Sequence, residues 1–325
     1  MFTRMLGRSG IEVSALGLGC WAIGGPFWKH GMPVGWGEVD DEASVHAIHR
    51  ALDLGVTFFD TADVYGCGHS ERVLGRALAG RRGNVIIATK FGQVFDEETR
   101  QATGYDTSPQ HIRRACEASL RRLCTEVIDL YQLHVKQVEL DQAVIIRETL
   151  EALAAEGKIR FYGWSTDDPQ RARLFAEGPH CTAIQQQLNI LEGSAETLSV
   201  CEQFNLASVN RGPLGMGLLT GKFTTETRIP PDDVRSRRPA LQEERADRLE
   251  KLEKIRHVLT EDGRSLAQGA LGWLWARSEQ TLPIPGFKTA AQIEENAGAA
   301  HFGPLSPEQM ERIAALLGQA EEARG

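Results

Sequence analysis

A strand-forming run followed by a helix-forming run recurs eight times along this 325-residue chain, and few folds accommodate that rhythm. The strand-like runs are short and rich in β-branched and aromatic residues. They begin at Ala15 to Gly19 and Val56 to Phe59, continue at Val85 to Lys90, Val127 to Leu133, Ile159 to Ser165, Ala183 to Asn189 and Leu206 to Asn210, and end at Thr281 to Pro285. Between them apolar residues repeat at helical spacing, as in Ala43, Ala47, Ile48, Ala51 and Leu52 before the stop at Gly55. Short connections in such a pattern build a parallel sheet, and eight strands is where that sheet closes. The fold class expected is therefore α/β, a (β/α)8 TIM barrel spanning 1–325 as a single domain. A hairpin around Gly7 to Gly10 precedes the first strand, and a charged insertion over 224–263, with turns at Pro230-Pro231-Asp232-Asp233, reads as a lid after the seventh. A tail over 301–325, helical from Pro307, completes the chain. A doubly wound open sheet is the weaker alternative, because no Gly-x-Gly-x-x-Gly turn opens the first helix.

In a closed barrel the C-terminal ends of all strands converge on one mouth, so polar residues there matter more than polar residues elsewhere. Asp60, Lys90, His134, Ser165, Gln185 and Asn189 occupy such ends in the second to sixth strands, and Tyr65 lies in the loop after Asp60. Singly, Asp60 reads as a cap, Lys90 as a surface head on a buried stem, and His134 as a satisfied core histidine. Together they form a site suited to proton transfer at a carbonyl oxygen. The expected roles are a phenol as acid, an ammonium lowering its pKa from about 10, a carboxylate holding the ammonium, and an imidazole orienting the carbonyl. None of these donates hydride, so a cofactor must. Trp21, Trp28 and Trp36, in the glycine-rich stretch from Cys20 to Gly37, are candidates for an aromatic substrate pocket.

A formal charge of −8 argues against a general grip on nucleic acid. No apolar run approaches the ~20 residues that span a bilayer, so no membrane partner is expected. The six cysteines lack any Cys-x-x-Cys pair, and no metal site is expected. The first residues lack the apolar core of a secretory signal, which leaves a reducing cytoplasm as the expected location. The oligomeric state is left open.

The stretch Asp60-Thr61-Ala62-Asp63-Val64-Tyr65-Gly66, with Ser70-Glu71, Leu74-Gly75, Thr89-Lys90 and Leu133-His134 following in order, resembles the aldo-keto reductase superfamily. The resemblance covers nearly the whole chain and implies a barrel with an Asp60, Tyr65, Lys90, His134 tetrad and a pyridine nucleotide. It assigns Ser165 and Gln185 to the nicotinamide carboxamide, with Thr166 standing where relatives carry asparagine. Leu188 stands where they carry tyrosine, and Arg211 where they carry the tyrosine that stacks on the nicotinamide. Pro213, Leu214, Gly215, Gly217, Leu219 and Lys222 match the stretch that wraps the pyrophosphate. Gly286, Lys288, Gln292, Glu295 and Asn296 match the adenosine-phosphate site, where Lys288 favours NADP(H) over NAD(H) although the arginine of some branches is replaced by Gln292. The function implied is NADPH-dependent reduction of a small-molecule aldehyde or ketone. The alternatives are a sugar or alcohol dehydrogenase working in the oxidative direction, and a nucleotide-sensing barrel with little turnover.

Overall fold

The computed structural model describes residues 1–224, 226–237 and 245–318. Eight parallel strands follow one another around a barrel in chain order: β1 Gly17–Gly19, β2 Phe58–Asp60, β3 Ile86–Phe91, β4 Ile128–Leu133, β5 Ile159–Ser165, β6 Cys181–Asn189, β7 Ala207–Arg211 and β8 Thr281–Pro283. A parallel bridge between Gly19 and Gly286, with the Gly19 amide on the Pro285 carbonyl at 3.0 Å, joins the last strand to the first. The expected (β/α)8 barrel is the fold.

Among the described residues the α-helices are α1 Asp41–Asp53, α2 His69–Ala77, α3 Pro109–Leu123, α4 Leu140–Ala155, α5 Pro169–Ala176, α6 Ala195–Gln203, α7 Arg245–Leu259, α8 Leu266–Arg277, α9 Ala290–Gly298 and α10 Pro307–Leu317. Their starts follow the capping chemistry of the sequence. Asp40, Ser108, Asp168 and Ser194 each accept first-turn amides, and Ser265, Thr289 and Ser306 complete capping boxes with the glutamines three residues on. No helix among the described residues is long and apolar enough to cross a membrane. The predicted tail helix is present as α10; its continuation past Gly318 and the part of the insertion at 238–244 lie outside the described residues.

Strand alternation separates two cores. Phe59, Ile87, Tyr131, Leu133 and Ile184 point outward into the layer beneath the helices, while Phe58, Ile86, Ala88, Leu130, Ala183 and Val209 fill the barrel. The hairpin Thr3–Met5 with Glu12–Ser14 adds Leu6 and Val13 to the inner cluster and so plugs the N-terminal end. Its turn lies so close that a Cβ on Gly7, at φ 54°, would stand 2.3 Å from the Thr182 carbonyl oxygen. Ligands therefore enter from the other mouth.

A four-stranded sheet outside the barrel departs from the sequence reading, which took Cys20 to Gly37 as loop. Trp28–Lys29, Met32–Pro33, Gln93–Asp96 and Gln101–Tyr105 pair into a wall on the C-terminal rim. Opposite it the insertion returns to the same rim, where Asp233 bridges Trp36 and the Val234 amide donates to the Gly35 carbonyl at 2.8 Å.

Candidate active site

The alternation that fills the barrel also assembles the polar centre. Asp60 lies two residues after Phe58, Lys90 two after Ala88, Gln132 two after Leu130 and Gln185 two after Ala183, so each takes the next inward position toward the C-terminal mouth. Lys90 and Gln132 are paired in the β3–β4 register. The Lys90 ammonium, with no exposed surface, donates to Asp60 Oδ1 at 2.5 Å, to the Thr61 carbonyl at 2.7 Å and to the Tyr65 hydroxyl at 3.3 Å. Asp60 Oδ2 accepts from Gln132 Nε2 at 3.0 Å and Gln185 Nε2 at 2.7 Å. The buried carboxylate is thus met by one cation and two amides.

Tyr65 is carried on a loop that has little freedom. Gly66, at φ 60°, packs so closely on the turn after Trp21 that a Cβ would fall 1.9 Å from the Gly24 carbonyl oxygen. The following helix α2 is fixed by Ser70, whose hydroxyl donates to the Cys20 carbonyl at 2.7 Å. Buried Glu71 accepts from Thr89 at 2.6 Å and from Arg122 at 2.7 Å. The Tyr65 ring lies edge-on to His134 at 5.8 Å and stacks with Trp21 at 5.8 Å.

Burial is the largest influence on Tyr65 and pushes the phenol above its ordinary pKa; Lys90 pulls it down and Asp60 pushes it up again. This corrects the expectation that Lys90 would bring the phenol toward the working pH: its pull is present but smaller than the cost of burying a phenolate. Burial also opposes the charge on Lys90, but Asp60 and Tyr65 outweigh it and the ammonium's pKa is raised. His134 is held well below the usual imidazole value, first by burial and then by Lys90, Arg211, Lys136 and Lys29. The site at neutral pH is a protonated phenol, an ammonium–carboxylate pair and a neutral imidazole.

These groups open into a cleft of about 680 Å³ that runs across the barrel mouth. Trp21 and Trp36 line it, as expected, and their rings meet edge to face at 5.5 Å. Trp28 does not: Phe27 and Lys29 on either side of it face the cleft, and alternation in the short strand turns Trp28 away. Of the expected cofactor residues, Ser165, Gln185, Arg211, Pro213, Leu214, Gly217, Lys222, Gly286, Lys288, Gln292, Glu295 and Asn296 line the cleft. Three do not. Thr166 is buried in the turn into α5, its hydroxyl accepting from the Asp168 amide at 3.2 Å. Gly215 and Leu219 belong to the 3-10 turn Gly215–Thr220, where Leu219 packs into the cluster of Leu266 and Trp273.

Arg211 lines the cleft while its guanidinium donates to Gln187 Oε1 at 2.8 Å and pairs with Asp167. Sequence reasoning missed Gln132, although its place two residues before His134 marks it as inward-facing. It also missed Arg235 of the insertion, whose guanidinium lies 4.9 Å from the Trp36 ring and 5.1 Å from the Phe223 ring and is oriented by Asp233 at 2.7 Å.

The far end of the cleft fits a dinucleotide. Ser165 and Asn296 are each 4% exposed, face the cleft, and make no side-chain hydrogen bond to the described residues. At Gly286 an added Cβ would meet only the Gly19 carbonyl oxygen, at 3.8 Å, which leaves the backbone open to a bound group. Lys288 stands before α9, its ammonium on the Trp36 carbonyl at 2.6 Å, and Gln292 accepts from the Lys288 amide at 2.7 Å. A second, open groove of about 1080 Å³ lies at the N-terminal strand ends. There Asp129 is already paired with Arg82 at 2.6 Å and Arg160 at 3.1 Å.

The sequence profile described as Aldo/keto reductase family matches residues 15–317. The chain belongs to this family. It is similar to the NADP(+) aldo-keto reductase yakc of Schizosaccharomyces pombe, with 33% identity over 305 residues, 91% of this chain and 86% of that protein. It is also 32% identical to a probable aldo-keto reductase 1 of Glycine max over 90% of this chain and 83% of that one. Among solved structures it resembles the glycerol dehydrogenase AKR11B4 from Gluconobacter oxydans, with a TM-score of 0.84 and 32% identity, covering 98% of this chain and 96% of that chain. The aldo-keto reductase AKR11C1 from Bacillus halodurans, in its holo form, gives a TM-score of 0.80 at 29% identity over the whole of both chains. An aldo/keto reductase from Klebsiella pneumoniae, solved in complex with NADP and acetate, gives 0.71 at 25% identity, covering 99% of this chain and 98% of that one.

Proposed function

We propose that this chain is an NADPH-dependent carbonyl reductase in which Tyr65 protonates the substrate oxygen as an aldehyde or ketone becomes an alcohol. The observation that carries the reading is the Tyr65 hydroxyl 3.3 Å from a buried ammonium that is itself 2.5 Å from Asp60, in a cleft shared with His134. A phenol with a raised pKa keeps its proton until an alkoxide-like charge develops beside it, and the adjacent ammonium stabilises that charge. Neutral His134 orients the carbonyl by hydrogen bonding. Asp60, fixed by Gln132 and Gln185, keeps Lys90 charged and in place.

The nicotinamide supplies the hydride when bound. Ser165 and Gln185 are proposed to hold its carboxamide, and Pro213, Leu214, Gly217 and Lys222 its pyrophosphate. The adenosine end falls to Gly286, Lys288, Gln292, Glu295 and Asn296, with Lys288 beside a 2′-phosphate. The NADP(+) in the name of the Schizosaccharomyces pombe relative and the NADP in the Klebsiella pneumoniae complex support the choice of cofactor. The insertion is proposed to act as a lid, since Arg235 and the Trp36–Asp233 bridge place it against the cleft rim.

The test is NADPH consumption by the purified protein over a panel of aldehydes and ketones, with NADH in parallel. Turnover faster with NADPH is expected; silence across the panel would overturn the reading. The likeness to a glycerol dehydrogenase favours a second reading, oxidation of an alcohol, which a larger kcat/KM for alcohols with NADP(+) would establish.

A further inference from the structure

Tyr65 and Lys90 come from different segments, and the 3.3 Å between hydroxyl and ammonium is already long for a hydrogen bond. A small shift of either segment opens it. Two backbone contacts hold the Tyr65 loop. The Asp63 amide donates to the Lys90 carbonyl at 3.3 Å, and the Tyr65 carbonyl accepts from the Ser70 amide, in the first turn of α2, at 3.1 Å. Whatever fixes α2 against β3 therefore fixes Tyr65 against Lys90.

That fastening is made by Glu71, the residue after Ser70. It has no exposed surface, and its two oxygens are divided between two elements. Oε1 accepts from the Thr89 hydroxyl of β3 at 2.6 Å, and Oε2 accepts from Arg122 Nε of α3 at 2.7 Å. Thr89 is the residue before Lys90. Strand alternation turns its hydroxyl outward to Glu71, with Ile87 and Phe91, while the lysine points inward to Asp60. Arg122 is held in turn by Glu97, in the turn of the rim sheet, at 3.0 Å. The contacts close a ring that runs from Tyr65 to Ser70, from Glu71 to Thr89, and from Lys90 back to Tyr65. Arg122 alone would meet the charge of Glu71, so the contact to Thr89 is a second commitment, made to the strand that carries the lysine.

We propose that Glu71 is a positioning residue for proton transfer: acting through Thr89, it clamps α2 to β3 and keeps the Tyr65 hydroxyl within reach of the Lys90 ammonium. Neither Glu71 nor Thr89 lines the cleft. The proposal rests on the reading of Tyr65 as the acid and adds the device that sets its distance from the cation. Such a device matters because a displacement of about 1 Å at reacting groups can cost on the order of a hundredfold in rate.

Three substitutions at Thr89 test it. Thr89→Val cuts the link and leaves the Glu71–Arg122 pair, Thr89→Ala makes the same cut with a smaller side chain, and Thr89→Ser restores the hydroxyl. Each full-length variant is assayed for aldehyde turnover with NADPH in water and in deuterium oxide, for the Kd of NADPH, and for its crystal structure beside that of the wild type. The two cut variants are expected to lose about tenfold to a hundredfold in kcat, with Kd within about twofold, and to show a larger solvent isotope effect because protonation has become slower. Their crystal structures should show the hydroxyl and ammonium separated beyond hydrogen-bond reach, and Thr89→Ser should return every quantity toward wild type. Thr281→Val removes a different buried hydroxyl, which donates to the Leu274 carbonyl at 2.8 Å from the N-terminal end of β8. It controls for lost stability and should leave the isotope effect unchanged. An unchanged separation or an unchanged isotope effect in the cut variants would overturn the proposal, as would an equal rise of the isotope effect in Thr281→Val. If the wild type turns over no aldehyde, the reductase reading fails on its own, and the crystal structures still decide the clamp: a separation opened by the cuts and closed by Thr89→Ser supports it, and one that does not change refutes it.

Discussion

Removing either partner of the Asp60–Lys90 pair should destabilise the barrel more than removing both. Lys90 is fully buried and its ammonium has three oxygen partners, at 2.5, 2.7 and 3.3 Å. In Lys90→Met the Asp60 carboxylate stays in the core with the Gln132 and Gln185 amides on Oδ2 and no counter-charge on Oδ1. In Asp60→Asn the ammonium stays buried without an anion. Breaking one side of a buried pair costs about 3–5 kcal/mol. With a melting entropy of roughly 2 cal/mol/K per residue over 325 residues, each single variant should lose about 4–7 °C in Tm. The double variant leaves no lone charge and should lie within about 2 kcal/mol of wild type. All three should lack turnover. Thermal unfolding of the four proteins followed by circular dichroism is the assay. A double variant whose loss equals the sum of the two singles would refute the reasoning, because each side chain would then be held by its other contacts and not by its partner's charge.

Three further outcomes follow from the same geometry. His134 has a depressed pKa in the folded chain, so the unfolded chain binds more protons below its ordinary value of about 6.5. Stability is therefore retained above that pH and lost as pH falls, by up to about 1.4 kcal/mol per unit, and His134→Gln should flatten this slope in denaturant titrations. Gln132→Leu removes one of two amide donors from a buried carboxylate oxygen and should cost about 1–3 kcal/mol in chemical denaturation, with Gln185 keeping the other contact. Lys288→Ala should raise the KM for NADPH by about tenfold to a hundredfold and leave that for NADH nearly unchanged; equal effects on both would remove the 2′-phosphate assignment.

The barrel and the placing of Asp60 and Lys90 at its mouth were legible because one rule governs both. A period of two along each strand sets the inward residues, and the last inward residue of β2 and β3 is the polar one that the sequence shows, Asp60 and Lys90. Gln132 obeys the same rule and was overlooked because a glutamine between Tyr131 and Leu133 carries no charge to draw attention. The rim sheet was not legible: strands of two to five residues are too short for periodicity to register, and their pairing joins segments far apart in sequence. The direction in which Trp28 points was lost with it. The net direction of the Tyr65 pKa depends on how much water the loop excludes, which is set by the close packing of Gly66 on Gly24 and cannot be weighed from residue types. Arg235 was hidden in a charged, turn-rich insertion whose path back to Trp36 only tertiary structure reveals.

The central claim is that Tyr65 gives up the proton, and Tyr65→Phe tests it most directly because the ring keeps its stacking on Trp21 and loses only the hydroxyl. Two quantities are needed from the variant: turnover of an aldehyde that the wild type reduces, and the Kd for NADPH from fluorescence titration. The account predicts that turnover falls by at least about a hundredfold while the Kd stays within about twofold. Turnover retained near the wild-type rate, or NADPH binding lost in parallel with activity, would contradict it.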